Sequence, residues 1–392
     1  SSDLDYYIKI TKKMVLAAAK RGGANCLEIL IQNGADLDFL VRDTRMTLLH
    51  VVCESKYADA NVVRVLIRKG GLDANASTRF LKSTPLMIAI ESLPADIAVD
   101  IAQVLIENGA NVNAGNDFNE TALHKVSQQD DEYAEVADVL IRNGAVVNAV
   151  NVGKVSALHY AAQHGNVNIV KRLIQGGCDV DAVDKHGWRP LHQAAFELDH
   201  RILKVLIENG ADVNAVDEYK DTALHFVAHF AAQYDKYVDF LKILVENGAD
   251  VNAVNKTERT PLNMAVMSVR VRRTHLVLQL LCFGAGINEK AINEDRTTLL
   301  GPINDRLRSL RGGDGMETTL MSDEEKRFMW NLAFFFTITN RAAAFKAYYA
   351  IRSFITFHDI FMGPGYHLGD RSVWPKFEHE SDIDSEGYLE SD

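Results

Sequence analysis

Apolar residues along this chain fall into paired short runs separated by polar phrases, and the pairs recur at a nearly constant interval. The first run of a pair opens, with one exception, on a hydroxyl: TLLHVV from Thr47, TPLMIA from Thr84, TALHKV from Thr121, SALHYA from Ser156, RPLHQA from Arg189, TALHFV from Thr222 and TPLNMA from Thr260. A second apolar run follows, such as VKRLI at 170 to 174 or LKVLI at 203 to 207. Each run predicts a helix. Thr or Ser can cap the first helix through its side-chain oxygen, and Pro85, Pro190 and Pro261 fall in a first turn that has no N–H partner to lose. Glycine after the second run predicts a left-handed stop.

The polar phrase between pairs repeats almost word for word. It reads NGADLD at 33 to 38, NGANVNA at 108 to 114, NGAVVNA at 143 to 149, and NGADVNA at 209 to 215 and 247 to 253, with variants KGGLDANA at 69 to 76 and GGCDVDA at 176 to 182. Gly34, Gly70, Gly109, Gly144, Gly177, Gly210, Gly248 and Gly284 are read as the capping glycines, separated by 36, 39, 35, 33, 33, 38 and 36 residues. A period near 33 built from helix, turn, helix and hairpin resembles the ankyrin repeat over roughly residues 11 to 300. The resemblance implies an all-α repeat solenoid with β-hairpin fingers, with about eight repeats ending near Ile287. Inserted residues fall between or within the helices, as ESLPADIAVD, SQQDDEYAE, the stretch from His229 to Tyr237, and a basic stretch from Val269 to Thr274.

Three regions are expected: a repeat stack over 1–295, a divergent helical cap over 296–362, and an irregular acidic tail over 363–392. Ser322 and Glu325 form a capping box ahead of Phe328, Leu332, Phe335 and Phe336 on one helical face, and Ala344, Tyr348, Ile351 and Ile355 make a second stripe. An open repeat would expose its apolar face, so these helices read as an end cap. The tail from Phe377 carries seven carboxylates and no lysine or arginine.

Composition narrows the function. No stretch reaches the roughly 18 uncharged apolar residues of a membrane-spanning helix, the nearest approach being Asn331 to Asn340, so membrane insertion is not expected. A formal charge of -11 argues against a general nucleic-acid binder. Cys26, Cys53, Cys178 and Cys282 are too few and too dispersed for a disulfide scaffold, which favours the cytoplasm or nucleus. No nucleophile elbow, zinc-protease pair, kinase loop or paired-carboxylate signature appears, and neither an enzyme activity nor a cofactor or metal is expected. His225 and His229 have helical spacing but lack a third ligand. His50, His124, His159, His192 and His225 are read as structural, bonding the backbone of the neighbouring finger.

What remains is surface for a protein partner, on a chain expected to be monomeric by itself. The ankyrin resemblance implies contact through finger tips and the inner ends of first helices. Matched onto this sequence, the fingers carry Phe80, Phe118, Trp188 and Tyr219, and the first helices carry His164, Phe196, His229 and Phe230 near their ends. Rigid aromatics anchor interfaces because they bury much area for little lost entropy. Arg259, Arg270, Arg272 and Arg273 form a basic group suited to an acidic peptide or to the chain's own tail. The leading expectation is a non-catalytic interaction scaffold or adaptor. The alternatives are a ubiquitin-ligase substrate receptor, or a pathogen effector acting through the C-terminal helices.

Overall fold

The computed structural model describes residues 11–40, 46–230 and 237–267, together with Leu280, Phe283 and Ala285. The expected cap and tail, and Arg270, Arg272, Arg273, Cys282 and Gly284, lie outside the described residues. The chain divides into two units, Ser1–Pro261 and Leu262–Asp392.

The first unit holds helices in pairs: α1 (Lys12–Lys20) with α2 (Ala24–Gln32), α3 (Leu48–Cys53) with α4 (Ala60–Arg68), α5 (Pro85–Ser92) with α6 (Ala95–Glu107), and α7 (Ala122–Ser127) with α8 (Ala134–Arg142). It continues with α9 (Ala157–Gln163) and α10 (Val167–Gln175), α11 (Pro190–Phe196) and α12 (His200–Glu208), and α13 (Ala223–Phe230) and α14 (Tyr237–Glu246). Each first helix packs on the next first helix, from α1 on α3 to α11 on α13. The second helices form a parallel row from α2 on α4 to α12 on α14. This is the all-α stack that the period predicts.

Sequence explains the division of labour. First helices are short and rich in Leu and Ala, and their interior positions, such as Leu158, Ala161, Ala162, Leu191, Ala194 and Ala195, are fully buried. Small alanines let neighbouring helices approach to close packing, where even one added methylene would be felt. Second helices are amphipathic: in α10, Ile169, Val170 and Leu173 are buried while Lys171 and Arg172 face outward. Each such fully buried aliphatic side chain contributes about 1.5–3 kcal/mol.

Glycine ends the second helices in the left-handed conformation, at φ 78 for Gly34, 90 for Gly109, 85 for Gly144, 82 for Gly177, 91 for Gly210 and 87 for Gly248. The next amide then reaches back to the helix, as from Ala110 N to Leu105 O at 3.0 Å and from Ala249 N to Leu244 O at 3.0 Å. In the second pair Gly71, at φ 68, takes this role rather than Gly70. Gly70 still donates to Val65 O at 3.1 Å, and a Cβ there would meet Leu66 O at 2.5 Å. At the boundary of the second unit α15 (Pro261–Met267) starts, and Ala285 N donates to Leu280 O at 3.0 Å, the same five-residue reach as from Ala110 to Leu105.

The fingers are hairpin-shaped but made of turns. Among the described residues only Val150 and Ser156 pair as an antiparallel bridge. The turn that carries Phe80 opens on Thr78, and the five that follow open on Asn or Asp: Asn116, Asn151, Asp184, Asp217 and Asn255 accept backbone N–H bonds from two and four residues ahead, as Asp217 Oδ1 does from Tyr219 and Asp221, both at 2.8 Å. Consecutive tips are joined by backbone bonds from Val152 N to Phe118 O, Lys185 N to Gly153 O, Glu218 N to His186 O and Lys256 N to Tyr219 O. At the finger bases, Asn75, Asn113, Asn148 and Asn214 donate to the next glycine carbonyl and accept from an amide two residues beyond it. This explains the Asn of the repeated NGADVNA phrase.

Candidate functional site

The inner face runs along the exposed ends of the first helices and the return legs of the fingers. One position recurs on every return leg, immediately before the helix cap: Ser83, Glu120, Val155, Trp188, Asp221 and Arg259. Four of the five repeat histidines hold this leg in place. In α3, α7, α9 and α13 the cap residue's backbone N–H donates to the histidine Nδ1, at 3.1 to 3.2 Å. Nδ1 is therefore an acceptor and the proton sits on Nε2, which donates to Ser83 O, Val155 O, Trp188 O and Arg259 O respectively, at 3.1 to 3.2 Å. His192 differs, accepting from Arg189 N at 3.0 Å and donating to Ala215 O at 2.9 Å. Burial lowers all five pKa values, that of His192 to about 4.

Side chains at the recurring position divide the inner face in two. Around α5, α7 and α9 it is polar. Lys125 Nζ lies 2.8 Å from Glu91 and 2.9 Å from Glu120, while Tyr160, Gln128 and Asn116 donate to the Glu120 carboxylate at 3.0, 3.1 and 3.0 Å. Burial alone would raise the Glu120 pKa. The bonds from Lys125, Asn116 and Tyr160 outweigh it and hold the group at about 2. Lys125 is likewise penalised by burial, yet its two carboxylates push its pKa up.

Around α11 and α13 the same face is aromatic. The Trp188 ring sits 4.8 Å from Phe226 and 5.5 Å from Phe196, and Phe196 sits 4.8 Å from Phe230. His229 stands edge-on to Phe230 at 4.6 Å. Phe226 is buried beneath, Trp188 and Phe230 are half-buried, and Phe196 is exposed. Such edge-to-face pairs contribute about 0.5–1.5 kcal/mol beyond burial. The layer is therefore fixed before any ligand arrives.

The structure thus sorts the residues singled out in the sequence. Trp188, Phe196, His229 and Phe230 come together on the inner face. Trp188 is not at a finger tip: the tip is His186 and Gly187, and the indole turns back from the return leg onto α11 and α13. Phe80, Phe118 and Tyr219 are at tips, with exposures of 62%, 50% and 58%. Gly153 and His186 occupy the matching tip positions between Phe118 and Tyr219. His164 is exposed at the end of α9, its Nδ1 bonded to Tyr160 O at 3.0 Å. Arg259 is half-buried, and its carbonyl takes the His225 bond. The Glu91, Glu120, Lys125 and Tyr160 network was not singled out in the sequence. Its signal is a lysine following the repeat histidine and a glutamate before the cap threonine.

No group of three or more His, Cys, Asp or Glu among the described residues could hold a metal ion, and no described helix is long and apolar enough to cross a membrane. The polar network buries its charges against one another, and the aromatic layer offers area rather than a reactive group.

Comparison with known proteins agrees with the geometry. Mouse Ankyrin repeat and SOCS box protein 6 is 35% identical over 129 residues, covering 32% of this chain and 29% of that protein. The human protein of the same name is 37% identical over 129 residues, covering 32% of this chain and 28% of its own length. The matched stretch thus spans under a third of these curated relatives. A family profile described as ankyrin repeats (3 copies) matches residues 14–116, 96–184, 123–217 and 199–291. With helix pairs, left-handed glycines and bonded fingers recurring through the matched region, this chain belongs to the ankyrin repeat family.

Proposed function

We propose that this chain is a non-catalytic interaction scaffold that holds a protein partner on its inner face, with Trp188, Phe196 and Phe230 as the apolar anchor. Ankyrin repeats imply protein–protein interaction. The observation that carries the finer reading is the aromatic layer itself. Phe196 faces solvent on a helix whose other large apolar side chains are buried, and it is backed by Phe230 and Trp188 at contact distance. Preformed aromatic surfaces gain affinity because little ordering entropy remains to be lost. The free thiols Cys26, Cys53 and Cys178 support a reducing compartment, the cytoplasm or nucleus. The test is affinity capture with the tagged full chain beside its Phe230→Ala variant, followed by mass spectrometry. A partner should be retained by wild type and lost, by roughly thirtyfold in affinity for a hot spot of about 2 kcal/mol, from a variant that melts as wild type does. Equal recovery on both would count against the inner face.

A second reading is a ubiquitin-ligase substrate receptor. It is favoured by the SOCS box in the names of the relatives, whose match to this chain covers only part of each. Residues 296–392 would then recruit the ligase, and ligase subunits would appear in the same capture and survive Phe230→Ala.

A further inference from the structure

Asparagine precedes the capping glycine at five of the second-helix stops: Asn33–Gly34, Asn108–Gly109, Asn143–Gly144, Asn209–Gly210 and Asn247–Gly248. This dipeptide carries a chemistry of its own, because glycine has no Cβ to shield its backbone nitrogen. The glycine N can attack the asparagine Cγ. A bond from that N to Cγ forms, the Cγ–Nδ2 bond breaks, and Nδ2 departs as ammonia with the proton that the glycine N gives up. One water then opens the resulting succinimide to aspartate or isoaspartate.

The folded helix end holds this reaction off. In all five pairs the asparagine Nδ2 donates to the carbonyl four residues back, at 2.6 to 2.8 Å. The glycine N–H donates to the carbonyl three residues back, at 3.0 to 3.1 Å. Asn33, Asn143 and Asn209 hold a ψ of 20 and Asn108 a ψ of 23. There the glycine N nearly eclipses the asparagine's own N and Cβ points elsewhere, so Cγ cannot close on it. Attack requires the cap to open, and each site should react as often as its cap opens.

The caps are not held equally. Gly109 O, Gly144 O and Gly248 O accept from the finger-base asparagines of the preceding repeats, Asn75, Asn113 and Asn214, each at 2.9 Å. Arg68 Nε also holds Asn108 Oδ1 at 2.9 Å. The finger before Gly210 carries Asp181 at that position, which accepts from Asp212 N at 3.2 Å but has no N–H to give to Gly210 O. Gly34 has no finger before it among the described residues, and α2 buries Leu27 alone, against Ile202, Leu203 and Leu206 in α12.

We infer that Asn33 and Asn209 are sites of spontaneous deamidation in the folded chain, while Asn108, Asn143 and Asn247 are protected by their clamped glycines. The inference goes beyond the scaffold reading and uses no binding surface. Its product loosens the repeat: a carboxylate at 209 accepts where the amide donated, and adds negative charge at the C-terminus of α12, where the helix dipole disfavours it. α12 packs on α11, so the change reaches the helix that carries Phe196.

The test ages the full chain in mildly alkaline buffer, folded and in concentrated urea. Peptide mass spectrometry reads the amide-to-acid exchange at the five pairs, and isoaspartate-specific methylation confirms the succinimide route. In urea the five should react alike. In the folded chain Asn33 and Asn209 should lead the other three by roughly fivefold, the effect of one net hydrogen bond on an opening equilibrium. Asp181→Asn supplies the missing donor to Gly210 O and should slow Asn209 alone, leaving Asn33 as in wild type. Asn113→Asp keeps the acceptor for Val146 N but releases Gly144 O, and should bring Asn143 up to the rate of Asn209. Melting curves that match wild type confirm that both variants fold. One common rate for all five pairs in the folded chain, or a lead by Asn108, Asn143 or Asn247, would overturn the inference. So would rates at Asn209 and Asn143 that ignore the two substitutions. None of these outcomes bears on partner binding at the inner face.

Discussion

His192 is fully buried, takes a backbone N–H on one ring nitrogen and gives its proton to Ala215 O from the other. Protonation would put a second N–H against a donor, so the charged form has no place in the fold. With an ordinary value of 6.5 and a folded value of about 4, the unfolded chain binds the proton more readily between those limits. Stability from this residue is therefore complete above about pH 6.5 and is lost as pH falls toward 4, by on the order of 3 kcal/mol. His50, His124, His159 and His225 shift in the same direction and add to the effect. Melting temperature should drop steeply from pH 7 to 5. A flat profile would contradict the neutral tautomer. These histidines were legible in the sequence because one residue type repeats at one spacing. The Glu120 and Lys125 network was not, because its members come from three first helices and a finger return leg, and each occurs once.

At the scale of the element, insertions do more than lengthen a repeat. SQQDDEYAE forms a turn and a short 3-10 helix, Asp131–Tyr133, and ties its neighbours on both sides. Asp131 accepts from Asn168 N at 2.7 Å and Ile169 N at 3.2 Å, capping the start of α10 in the next repeat, while the Tyr133 hydroxyl donates to Leu93 O in the previous one. Asp131→Ala should cost about 1 kcal/mol, as lost caps do, and should speed amide exchange in the first turn of α10. Wild-type exchange there would show that Val167–Gln175 starts without it. Periodicity places such an insertion but cannot show its partners, which lie about one repeat away. Gly70 and Gly71 make the same point. Both suit a stop, and the crowding of a Cβ at Gly70 against Leu66 O is visible only in the folded chain.

At the largest scale, each helix pair from α1–α2 to α13–α14 contacts its neighbours, and the inner face is assembled from many of them at once. The stack was legible in the sequence because its grammar is local: a cap, a glycine, an asparagine. The division of the inner face into a polar and an aromatic part was not, since it depends on Glu120 and Trp188 standing at the same return-leg position and turning toward different helices. Partner binding on the aromatic part is best tested by hydrogen exchange on the full chain, alone and saturated with the partner captured by wild type. Exchange should slow in residues 188–197 and 224–230, with α10 and α12 unchanged. Protection confined to those second helices, with α11 and α13 exchanging as in the free chain, would contradict binding on the inner face.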